Sequence, residues 1–136
     1  MKKIIFYSLT ATVILLTACK KEFLTSTKTT REKIEGRWSF QTLVHADYHS
    51  GSSNTSTYAG ALYDYVEFGH DGIIYSSMYG WDTQPYGLIT GSTLWVEAFY
   101  NLFELKVLTN SELQLYRKIP GLYATDYSED YFYFTR

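Results

Sequence analysis

Apolar and polar positions alternate along most of this chain with a period of two, the signature of strands half-buried against a core. Residues 37–46 place Trp38, Phe40 and Thr42 on one face. Residues 45–57 are rich in Ser, Gly and Asn and are expected to form a long polar loop. Residues 61–68 then set Leu62, Val66 and Phe68 against Tyr63, Tyr65 and Glu67. Gly69-His70-Asp71-Gly72 supplies a hairpin turn, because Asp-Gly tolerates the positive φ of a tight connection. Residues 73–79 return. Residues 82–91 carry Pro85, Gly87 and Gly91, so a short strand at most is expected there. Residues 92–98 have Leu94 and Val96 on one face, Trp95 and Glu97 on the other. The clearest unit pairs residues 101–108 with 112–118 around Thr109-Asn110-Ser111, setting Phe103, Leu105 and Val107 against Leu113, Leu115 and Arg117. After a loop over residues 119–128, residues 129–136 form a terminal strand of Tyr and Phe.

Only residues 30–35 suggest a helix, a single turn capped by Thr29 or Thr30 and stopped by Gly36. The pattern predicts an all-β domain of seven or eight short strands joined by hairpin-length turns, an up-and-down antiparallel meander. An unpaired terminal strand this apolar would invite aggregation, and pairing it with the first strand closes the sheet into an eight-stranded barrel.

The first residues follow another rule. Met1-Lys2-Lys3 precedes an apolar run over residues 4–16, the right length for a secretory h-region and too short to span a bilayer. Leu16-Thr17-Ala18-Cys19 follows and resembles the lipobox of bacterial lipoproteins. The resemblance implies a signal peptide over residues 1–18 and a lipid-bearing Cys19. Residues 19–32 form a polar stem, and the domain fills residues 33–136. Lipid chains on Cys19 would hold the protein at a membrane without a spanning helix. Lys20 in place of Asp points to the outer membrane, with the periplasmic face and the cell surface both open.

The chain of 136 residues has room for one core. Its formal net charge of −2 argues against nucleic acid as a partner. Charge is segregated: Lys20, Lys21, Lys28, Arg31 and Lys33 sit in or beside the stem, while the domain beyond is acidic. One Cys excludes an internal disulfide framework.

Gly36-Arg37-Trp38, directly after the helical turn, resembles the G-x-W signature of lipocalins. That resemblance implies a tight turn at Gly36, a Trp38 that plugs the closed end of the barrel, and Arg136 lying across the Trp38 ring. Tyr65-Val66-Glu67-Phe68 before the Asp71-Gly72 turn, and Leu108-Thr109 before Leu113-Gln114-Leu115, are similar to motifs of small lipocalin-like lipoproteins of Bacteroidetes.

Candidate chemistry is sparse. His45, Asp47 and His49 together offer a surface metal clamp or solvated loop residues, and no metal or cofactor is expected. Glu67, Glu97 and Glu104 face either water or a wet cavity. No nucleophile motif accompanies them, so an enzyme is the third reading. The density of Tyr and Trp suits an amphipathic ligand in the barrel mouth, with Tyr65, Tyr75, Trp81, Trp95 and Tyr116 as candidate contacts. The same residues also suit a filled barrel whose outer face binds a protein or glycan of the cell envelope.

Overall fold

A computed structural model describes residues 29–136 apart from 79 and 100. The stretches expected to form the signal peptide, residues 1–18, and the start of the stem, Cys19 to residue 28, lie outside the described residues. The chain forms helix α1 (Thr30–Ile34) and strands β1 (Gly36–His49), β2 (Ser52–Ala59), β3 (Tyr65–Phe68), β4 (Ile73–Ser76) and β5 (Gln84–Thr90). They are followed by β6 (Thr93–Val96), a 3-10 turn (Glu97–Phe99), β7 (Asn101–Leu108), β8 (Glu112–Pro120) and β9 (Tyr127–Thr135). Every pairing is antiparallel, and β9 returns to β1, closing an eight-stranded barrel from β1 and β3 through β9. The architecture is the one that the lipocalin resemblance implies.

The second strand of this barrel is split. β2 pairs with the upper half of β1, from Thr42 to His49, and β3 pairs with its lower end, from Gly36 to Ser39. Residues 60–64 make an excursion between the two, pinned where Gly60 N–H donates to the Gln41 carbonyl and Phe40 N–H to that of Asp64. β1, β8 and β9 are the long strands and rise beyond the rest as a ribbon, with β2 on its edge.

The closed end is built by local sequence. Thr29 and Glu32 form a capping box on α1. Thr30 fastens the helix to the β5–β6 turn through its hydroxyl bond to the Gly91 carbonyl, 3.0 Å. Gly36 turns the chain into β1 at φ +104°, a value that L side chains rarely adopt. Trp38 is fully buried, its indole N–H donating 2.7 Å to the Ile34 carbonyl. The Arg136 guanidinium lies 3.8 Å from the centre of the Trp38 ring and donates to the carbonyls of Lys33, Glu35 and Asn110. One side chain thereby satisfies helix-end carbonyls left without partners and caps the plug.

The middle of the barrel is packed with aromatic rings. Trp81 enters from the β4–β5 connection and is 3% exposed. Its ring centroid lies 5.0 Å from Phe99, 5.4 Å from Phe132 and 5.5 Å from Phe103. Val66, Phe68, Ile74, Leu94, Val96, Leu113 and Leu115 complete the core.

Several expectations are corrected. Residues 45–57 are not a loop: β1 continues to His49 and β2 follows, joined by a tight turn with Ser50 at φ 48° and Gly51 at φ 83°. Backbone pairing to β1, rather than burial, holds this polar strand. A bulge between Phe40 and Thr42 turns Leu43 inward in place of Thr42. A second bulge, between Leu105 and Val107, turns Leu108 inward in place of Val107. Leu62 is in the excursion and 87% exposed, not on a core face. Residues 84–90 form a full strand despite Pro85 and Gly87.

Candidate functional site

Above the aromatic core, three long strands place polar side chains on their inward faces. The registers His45↔Asp130 and Arg117↔Asp130 align these residues in one row. Asp130 is 2% exposed. Its Oδ1 is 2.6 Å from His45 Nδ1, and its Oδ2 accepts from Arg117 Nε and a terminal Arg117 nitrogen, both at 2.6 Å. The other ring nitrogen of His45 lies 3.0 Å from Asp47 Oδ2. With carboxylates at both nitrogens, the imidazolium is favoured: the Asp130 hydrogen bond raises the His45 pKa, against a smaller opposing effect of burial, and Asp47 adds to it. The Arg117 guanidinium stacks 4.6 Å from the Phe99 ring and closes the top of the aromatic core.

This row holds its charges in place. Asp130 lies between His45 and Arg117, and both His45 nitrogens are engaged by carboxylates. Among the described residues, no group of three or more His, Cys, Asp or Glu is arranged to hold a metal ion. His49 instead pairs with Asp126 at 2.7 Å, and His70 with Glu35 at 2.8 Å.

The outward face of the same strands carries a wall of tyrosines. Tyr116 and Tyr131 are paired neighbours with ring centroids 4.9 Å apart, and Tyr48 stacks on Tyr127 at 4.4 Å. Lys118 lies 3.5 Å from the Tyr127 ring centre and Lys106 4.7 Å from that of Tyr116. Glu129 accepts the Tyr116 hydroxyl at 3.0 Å. Burial first, and then this carboxylate, push the Tyr116 phenol up to about 12, so it remains a neutral donor at ordinary pH. The charge of Glu129 is also the main cause of the raised Tyr48 pKa. Beside Tyr133, Gln114, Val107 and Thr42 a groove of about 470 Å³ runs along the outer surface. At the rim, Asp47, Tyr48, Ile119, Leu122, Asp126 and Tyr127 line a cleft of about 350 Å³.

The five candidate contacts do not converge. Trp81 alone is inside the barrel, as packing. Tyr65 faces outward beneath the Arg37 guanidinium, 4.0 Å from its ring centre. Tyr75 is exposed, its hydroxyl bonded to Asp71 at 2.8 Å. Trp95 is exposed on β6, opposite Leu102 on β7. Tyr116 belongs to the wall. Glu67 and Glu104 pair with Arg37 and Lys106 on the outside. Sequence reasoning missed Asp130 and read His45 as a loop residue. The alternation that joins Asp130 to Phe132 and Phe134, and Arg117 to Leu113 and Leu115, carried the signal.

Searched against protein-family models, curated proteins and solved structures, the chain matches none of them.

Proposed function

We propose that this protein is a non-catalytic binding module of the cell envelope, tethered through lipid on Cys19, that recognises a partner protein with the outer tyrosine wall of β1, β8 and β9. One observation carries the reading: Tyr48 with Tyr127 and Tyr116 with Tyr131 form two ring pairs on the outer face of the long strands, whereas Trp81 fills the middle of the lumen. Tyr brings large contact area at small entropic cost, together with a hydroxyl that tolerates water, which suits reversible recognition. The wall mixes Lys106, Lys118, Glu104 and Glu129, so neither sign of charge dominates it.

The test is photo-crosslinking in the intact host, with a benzophenone amino acid at Tyr131 and, as control, at Ile89 on β5. A discrete adduct at Tyr131 that is missing at Ile89 is expected. Equal labelling from both sites, or none from either, would remove the wall as the recognition surface.

A second reading, a small amphipathic ligand at the rim, is favoured by the cleft in which Ile119 and Leu122 meet Asp47 and Asp126. A small molecule co-purifying in native mass spectrometry, and lost in Ile119→Asp, would select it.

A further inference from the structure

Barrel closure pairs β1 on both sides and leaves β2 as the strand outside the ring. Its two-residue turn makes His49 and Ser52 the first hydrogen-bonded pair, so Ser52, Asn54, Ser56 and Tyr58 exchange bonds with β1. Ser53, Thr55 and Thr57 consequently turn their N–H and C=O groups away from the barrel. Exposed edges of this kind are ordinarily guarded by charge, proline or a bulge. The sequence Ser52-Ser53-Asn54-Thr55-Ser56-Thr57-Tyr58-Ala59 has neither charge nor proline, and its pairing with β1 is unbroken. All of it except the half-buried Ser56 is exposed.

We infer that this edge pairs with the same edge of a second copy, as an antiparallel, two-fold symmetric dimer centred on Thr55. In that register Thr55 faces Thr55 of the second copy, with reciprocal N–H to C=O bonds, and Ser53 faces Thr57. Asn54 falls opposite Ser56, and Tyr58 opposite Ser52. The strand is self-complementary: no like charges meet, and Thr–Thr neighbours across strands are favourable. The lower end of the edge leads into Leu62 and Tyr63, 87% and 83% exposed, and the two-fold brings the hairpin tip of the second copy toward them. An isologous contact of this kind stops at two copies, because among the described residues the other strands lie within the closed ring.

Native mass spectrometry and sedimentation of the full chain in detergent micelles test this directly. The expected result is a dimer whose dissociation constant rises at least about ten-fold in Thr55→Lys, which sets two ammonium groups face to face. Thr55→Pro, which removes the central donor, should be monomeric as well. Thr55→Lys lies on an exposed strand and should keep the wild-type far-UV spectrum, which covers the case in which the proline variant misfolds. A wild-type protein that is monomeric at about 100 μM, a ladder of higher species, or a Thr55→Lys variant that dimerises unchanged would each overturn the inference.

Discussion

Arg136 joins the end of β9 to α1 and to the β7–β8 turn by its contacts with Lys33, Glu35, Asn110 and Trp38. Arg136→Ala removes a cation–π contact and several charge-assisted bonds at a partly solvated site, and should cost about 2 kcal/mol. Arg136→Lys keeps the charge but loses the fork and should recover part of that loss in a denaturant melt. His45 makes stability depend on pH. The folded protein holds its proton to a higher pH than the unfolded chain does, because Asp130 and Asp47 face its two nitrogens. Its contribution is therefore complete below the unfolded value of about 6.5 and is lost as pH rises through the folded value. Relative to His45→Gln, the wild-type Tm should fall across that window. A relative rise there would show that the ring is neutral in the fold. Asp130→Asn leaves Arg117 without its buried counter-charge and should cost about 3 kcal/mol.

At the scale of elements, the strands that bury a face were legible: β3, β6, β8 and β9, and β7 as far as Leu105, follow the alternation of their apolar residues. β2 was not legible, because nothing apolar marks a strand held by backbone bonds on one side and exposed on both faces. The bulges in β1 and β7 were equally silent, since one extra residue reverses every later face while leaving composition unchanged. Hence Thr42 and Val107 were assigned to faces that Leu43 and Leu108 occupy. The site was less legible than the fold. Alternation separates Tyr65 from Val66 without saying which one faces the core. It also placed His45 in a loop because the hairpin itself was hidden. The excursion between β2 and β3 rests on Gly60, where a Cβ would lie 2.5 Å from the Phe40 carbonyl oxygen and 2.7 Å from its ring. Gly60→Ala should force β1 and the excursion apart, costing about 2 kcal/mol and lowering Tm on the order of 10 °C in a thermal melt.

For the molecule as a whole, two tryptophans occlude the barrel from opposite ends, Trp38 from below and Trp81 from above. Trp81→Ala should leave a void among Phe99, Phe103 and Phe132 and cost about 3–5 kcal/mol. Free indole should then enter and raise the Tm of the variant without affecting the wild type, which calorimetry can follow. Rescue would show a lumen able to hold an aromatic guest once the plug is removed. Failure of indole to shift a folded variant would show that the walls collapse inward.

The ring closes between strands far apart in sequence: His45 meets Asp130 across 85 positions, and Arg136 reaches Glu35 across 101. Such contacts return nothing until a long loop has been drawn shut, so spontaneous folding should take milliseconds to seconds. Until then both seams, rich in tyrosine and phenylalanine, stay open to any neighbouring chain. A newly made copy is thus sticky and still threadable through a narrow pore for the same interval, and a holding chaperone acting in that interval would raise its yield.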